Sequence, residues 1–320
     1  MNKKLLITIS IVTILIIIIV VILVMRSENQ KNTKYNMSAV TEVTNDNNQT
    51  NNDGENITEN NISTNDTEVI MNTENNETNS KLQTTTFTLN GIDFKMILVE
   101  AGTFTMGSND TNVAYSESPA HKVTLTKDYL IGETEVTEGL WNAVMNGSSS
   151  GDNTMPKTSV TWSQAHDFVD KLNEIAHSQN IISSDRNFVL PTEAEWEFAA
   201  KGGNKSKGYK YSGSNNINDV AVTRENSGSD SPIEVKTKKA NELGIYDMSG
   251  NAYEWVNDYA GSYSSGDQTD PQNRNKSSQY VKRGGSNYHN FDSESYLFTT
   301  TGRYFYGSTD WTIGFRIGLK

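Results

Sequence analysis

The sequence predicts an α+β fold: a loop-rich single domain with low regular secondary structure. Residues 87–320 hold all five tryptophans of the chain and no Pro- or Ser-rich break divides them, which is enough sequence for one packed core. Within them, periodicity marks only short strands and two helices. The stretch from Gly203 to Gly285 sets Gly, Asn, Ser and Asp at close intervals and reads as loops.

Taken in order, Leu5 to Met25 form an apolar run broken only by Thr8, Ser10 and Thr13. At about 1.5 Å per residue it reaches roughly 31 Å, enough to span a bilayer's hydrocarbon core. Lys3 and Lys4 precede it, but the run is far longer than a cleavable signal's apolar stretch, and Met25-Arg26 offers no small-residue cleavage site. Residues 1–26 therefore read as an uncleaved signal anchor, a single-pass transmembrane helix in the cell membrane with the C-terminal domain extracytoplasmic. The basic residues flanking the run are too evenly divided to set the orientation; the long polar C-terminal part sets it.

Residues 27–86 change abruptly to Asn, Thr, Glu and Ser, with 16 Asn, ten acidic and three basic residues among 60. So little apolar surface cannot offset ordering entropy, and a disordered Asn/Thr/Glu-rich linker is expected. Residues 87–320 form the folded domain, with 21 basic and 29 acidic residues (21 − 29 = −8). That balance argues against nucleic acid as a partner. The chain contains no cysteine, so no disulfide supports the fold.

Phe94 to Val99 and Lys122 to Thr126 read as strands. A helix starts at Thr161, where Gln164 completes a capping box and Ala165, Phe168, Val169, Leu172, Ile175 and Ala176 make one apolar stripe. A second starts at Thr192 with Glu195 in the same role and stops at Gly202-Gly203. Glu193, Glu195 and Glu197 on it read as capping and surface charges. No Gly-x-Ser-x-Gly elbow, Ser-x-x-Lys set or phosphate-cradling glycine loop is present.

Five segments stand in a fixed order: GTFTMGS (102–108), LPTEAEWEFAAKGG (190–203), NELGIYDMSGNAYEW (241–255), RGGS (283–286) and GFR (314–316). Together they resemble the formylglycine-generating-enzyme, or sulfatase-modifying-factor, family from about Phe94 to the C-terminus. The resemblance implies a C-type-lectin-like fold. It also implies a structural calcium site on Asp247 and Glu254 with the carbonyls of Gly250 and Ala252, and hard oxygen ligands in a turning loop suit that ion. A second calcium site of the family, near Asn218 to Asp230, has no residue-by-residue match.

Family members oxidise a cysteine of client sulfatases using copper on two active-site cysteines. Here the first of those positions falls at or beside His289 and the second near Glu294, so no copper dithiolate is expected. His289 with Glu294 is at most half of a metal site, and no other histidine shares a ligand spacing with it. The family's substrate cleft corresponds to the interval that supplies Asn287, Tyr288, His289, Asn290, Arg303, Tyr304, Tyr306 and Trp311, a mixture of rigid aromatics and small hydrogen-bonding groups suited to an adaptable surface. The expected function is binding of a protein, peptide or glycan ligand outside the membrane. An enzyme of another chemistry, a retroelement-diversified receptor and a surface-assembly scaffold stay open. Arg283 and Arg316 either contact that ligand or pair with buried acids.

Overall fold

The computed structural model describes residues 39–42, 83–111 and 114–320. The apolar run at 5–25 and most of the linker lie outside the described residues. No helix among the described residues is long and apolar enough to cross a membrane.

The strands are β1 (Ala39–Glu42), β2 (Thr84–Leu89), β3 (Ile92–Val99), β4 (Gly102–Met106), β5 (His121–Leu125), β6 (Tyr129–Gly132), β7 (Phe188–Val189), β8 (Tyr253–Tyr259), β9 (Gln268–Thr269), β10 (Tyr280–Arg283), β11 (Arg303–Tyr306), β12 (Ile313–Phe315) and β13 (Gly318–Leu319). They form a six-stranded sheet in the order β1-β2-β3-β6-β13-β7, a four-stranded sheet β11-β10-β8-β12 and a three-stranded sheet β4-β5-β9. The expected strands at 94–99 and 122–126 fall within β3 and β5. The linker is not wholly outside the fold: β1 pairs antiparallel with β2, and β2 itself begins at Thr84.

Helices α1 (Glu138–Met145), α2 (Trp162–Ser178) and α3 (Glu193–Ala200) lie between strands of these sheets in sequence. Both expected capping boxes are present. The Thr161 hydroxyl accepts from the Gln164 amide at 3.1 Å while Gln164 Oε1 accepts from the Thr161 amide at 2.9 Å; Thr192 and Glu195 repeat the exchange at 3.2 and 2.8 Å. All six stripe residues of α2 are buried. They pack with Leu140, Phe188, Trp255 and Phe315 in the larger core cluster. A second surrounds Trp196, Phe198, Val256 and Val281, and a third, smaller one gathers Tyr211, Ile217, Leu297 and Phe298. Past α3, Gly202 takes φ +87°, the left-handed region that favours glycine.

Two expectations fail. The stretch 203–285 is not all loop, because β8 runs through it as an inner strand of the four-stranded sheet with five of its seven residues buried. Glu193 and Glu197 are not surface charges. They are 3% and 0% exposed, since four residues apart on a helix is nearly one full turn and brings both onto the same inward face.

Candidate functional site

The family-like motifs converge on three buried guanidinium–carboxylate pairs. Arg283 ends β10 and bonds Glu197 of α3 through Nη2, while its Nη1 donates to the Thr301 carbonyl at 2.7 Å. Arg303 opens β11 and grips Glu193 with two bonds of 2.7 Å. Arg316 grips Glu254 of β8 with two bonds of 2.6 Å and donates to the carbonyls of Gly132 and Tyr246 at 2.9 and 3.0 Å. Arg283 and Arg316 are fully buried and Arg303 is 2% exposed. All three are framework residues, which settles the alternative left open for Arg283 and Arg316. It also removes Arg303 from the expected ligand surface, because a guanidinium that saturates a buried carboxylate has no donor pair left for a ligand.

Asn287 is likewise a framework residue. It is fully buried, with its side-chain amide donating to the Ser231 carbonyl and, at 3.2 Å, to that of Ser229. The other expected contact residues do gather. Tyr288 and Trp311 meet edge to face at 5.2 Å, Tyr288 and His289 at 5.8 Å, His289 and Tyr253 at 5.5 Å, and Tyr253 and Tyr304 at 5.9 Å between ring centroids. Arg224 lies over the Tyr288 ring at 5.4 Å. Asn290 is exposed at the rim, and Tyr304 and Tyr306 are half-buried. Among the described residues, the exposed large hydrophobic side chains are Tyr288 (46%), Tyr296 (36%) and Trp311 (42%), all in this one interval.

Two residues of this cluster were missed from sequence. Tyr253 places its hydroxyl 3.2 Å from His289 Nε2. Lys282, 9% exposed, sets its ammonium 3.7 Å from the Tyr253 ring centroid and 4.7 Å from that of Tyr306. Burial pulls its pKa down to about 8, against an opposing pull from Asp310. The available signal was strand alternation: Lys282 is the Cα partner of Tyr304, so the two side chains share a sheet face.

His289 and Glu294, at or near which the family's two cysteine positions were expected, are neighbours, with Nδ1 and Oε2 3.3 Å apart. Burial first of all holds the imidazole below its ordinary pKa, so near neutral pH it is an uncharged ring hydrogen-bonded to Tyr253 and Glu294. Among the described residues no group of three or more His, Asp or Glu is placed to hold a metal.

Of the expected calcium ligands, the carboxylates of Asp247 and Glu254 are both buried and are engaged differently. Asp247 adopts φ +59°, and its buried Oδ1 and the buried Oε2 of Glu135 have no partner beyond the side-chain hydrogen bond between these two acids. These oxygens would suit a cation. Glu254, however, commits both oxygens to Arg316 and takes a third bond from the Trp196 indole at 2.6 Å. The residues as arranged do not fit calcium, because the charge that Glu254 faces is already a guanidinium. Burial pushes Asp247 up to about 6 and Glu135 well above the carboxylate range. Arg316 acts on both from the opposite direction. Gly250 is fixed by contact instead, since a Cβ there would sit 2.2 Å from the Val222 carbonyl oxygen.

A separate cavity of about 290 Å³ is lined by Glu193, Asp258, His121, Tyr263 and Arg303 among others. Asp258 accepts from the amides of Glu193 (2.8 Å) and Asn273 (2.6 Å), yet burial, with Glu193 beside it, raises its pKa to about 7.

Residues 92–319 match the family described as sulfatase-modifying factor enzyme 1-like domains. The chain is similar to a protein called chaperone protein LppX from Paenibacillus barcinonensis, 35% identical over 204 residues that cover 50% of this chain and 70% of the relative. It is also similar to the formylglycine-generating enzyme of Mus musculus, 24% identical over 250 residues covering 60% and 66% of the two chains. Among solved structures, Treponema denticola variable protein 1 superposes with a TM-score of 0.63 at 31% identity, covering 73% of this chain and 98% of that one.

Proposed function

The chain belongs to the family of sulfatase-modifying factor enzyme 1-like domains, and from that membership we propose that it is a binding member, tethered to the cell membrane and extracytoplasmic, which holds a ligand in the aromatic cleft of Tyr288, His289, Tyr304, Tyr306 and Trp311 without generating formylglycine. The observation that carries this is the confinement of the exposed large hydrophobic side chains Tyr288, Tyr296 and Trp311 to the one interval, 288–311. Solvent-exposed aromatics grouped on one face are characteristic of a contact surface. The chemistry agrees: the chain has no cysteine to form the family's copper dithiolate.

The names of two similar proteins, a chaperone and a variable protein, favour recognition of a partner over oxidation of a substrate. The second name also supports a variant of the same proposal in which the residues of this cleft differ between copies of the domain. Sequencing the interval 287–311 across strains tests it: substitutions concentrated at 288–290, 296 and 311 support it, and a uniform distribution over the domain refutes it.

The main test screens the full-length chain in detergent against immobilised glycans and peptides, beside variants Y288A and W311A. Binding that falls tenfold or more in both, with unfolding midpoints unchanged, is expected. Aldehyde formation on a cysteine-containing sulfatase peptide, captured with a hydrazide, would overturn the proposal.

A further inference from the structure

Four cationic side chains of the described residues are buried: Lys282, Arg283, Arg303 and Arg316. The three arginines each face a carboxylate of this chain, Glu197, Glu193 and Glu254. Lys282 has no hydrogen bond or ion pair among the described residues, only the ring faces of Tyr253 and Tyr306. Asp310 is the nearby charge that acts on it, without coming within ion-pair distance; its Oδ1 takes the amide and hydroxyl of Thr312. Two ring faces return less than the hydration a buried ammonium gives up, so Lys282 is an exception within a framework that otherwise pairs its buried cations. On the register partner of Lys282 across β10 and β11, Tyr304, the hydroxyl is buried and also without a hydrogen-bond partner. A row of ring contacts leads inward from the exposed Trp311 through Tyr288 and His289 to Tyr253, whose face carries the ammonium.

We infer that Lys282 is the charge-recognition group of the cleft and that the ligand is an acidic oligosaccharide, the carboxylate of one residue meeting the ammonium and the ring of another packing on the outer aromatics. The inference rests on the binding function proposed above and names its ligand class. A carboxylate supplies the acceptors Lys282 lacks. A pyranose offers apolar C–H faces for Tyr288 and Trp311 together with hydroxyls that match the unpartnered Tyr304 phenol. A peptide of glutamates alone would satisfy the ammonium but has no ring to lie on the exposed aromatics.

The experiment titrates the full-length chain, by tryptophan fluorescence, with glucuronic acid oligosaccharides, with their neutral glucose counterparts and with a glutamate-rich peptide. Variants K282M, K282R, Y288A and W311A are run in parallel. The acidic sugar is expected to bind at least tenfold more tightly than the neutral one, with K282M abolishing that preference and K282R keeping part of it. K282M removes a buried charge, so its unliganded unfolding midpoint should equal or exceed that of the parent, which separates lost recognition from lost folding. If K282M retains the preference, if neutral sugar binds as well as acidic, or if the peptide binds in place of the sugar, the inference fails while the binding function stands. If none of the three probes binds and Y288A and W311A change no ligand interaction in the array screen, both fail.

Discussion

Replacing Arg316 with methionine would remove the one cation set among Glu254, Asp247 and Glu135. Glu254 would lose two bonds of 2.6 Å, keeping only the Trp196 indole, and the carbonyls of Gly132 and Tyr246 would lose donors at 2.9 and 3.0 Å. Breaking a buried pair from one side costs about 3–5 kcal/mol. The variant has one escape, which is to take up a proton on the stranded carboxyl; at pH 7 this costs about 4 kcal/mol for a glutamate of ordinary pKa, and at pH 5 about 1 kcal/mol. A destabilisation of about 4 kcal/mol at pH 7 that shrinks to about 2 kcal/mol at pH 5 is therefore expected. The sign follows because the folded variant holds a proton that the unfolded chain releases, so its stability falls as pH rises. Urea unfolding of the full-length chain, followed by the fluorescence of the buried Trp196 and Trp255 at both pH values, measures this. The double variant R316M/E254Q should recover about half of the loss. A loss below about 1 kcal/mol at pH 7, or one that does not shrink at pH 5, would refute Arg316 as the counter-charge of the acid group.

Chelation should leave the thermal midpoint within about 2 °C of its original value, because Arg316 already neutralises Glu254; a larger fall on adding EGTA, reversed by calcium, would reinstate the metal. Asp258 gives a pH signature of its own. With its pKa raised to about 7 in the folded state, the folded chain binds its proton more tightly, so stability is fullest below about pH 4 and declines as pH rises towards 7, by at most about 4 kcal/mol. D258N should flatten that slope, and an unchanged slope would reassign it to another group. Y288A and W311A should shift unfolding by no more than about 0.5 kcal/mol each, since both rings are exposed; a larger change in urea midpoint would make them part of the core.

What could be read from sequence was local. Thr161 with Gln164 and Thr192 with Glu195 were legible because a capping box is complete within four residues. Strand β8 was not, because Glu254 and Asp258 interrupt its apolar run, and the partner that makes Glu254 tolerable is Arg316, 62 residues later. Glu193 and Glu197 were misassigned for the same reason, their arginines being 110 and 86 residues distant. A usable signal was present: two glutamates one turn apart in a helix whose other residues include Ala194, Trp196, Phe198, Ala199 and Ala200. The cleft was found as an interval, but its inward members Asn287 and Arg303 could not be separated from its outward ones. Family-like segments show which residues recur, not which way they face. Lys282 was overlooked because one lysine in a strand ordinarily points to water.

Arg283 and Arg303 are register partners across β10 and β11, and each is fastened to a different glutamate one turn apart on α3. The chain between them leaves the sheet and returns to it through two feet bolted to a single short helix. Leu297 and Phe298 weigh that excursion down inside, while Tyr288 and Tyr296 hang outside. Such a mounting behaves like an interchangeable cartridge: its outward letters can be rewritten without disturbing the socket. On the binding function proposed above, a lineage would explore new specificities here by point substitution alone, with little selection for compensating changes elsewhere in the domain.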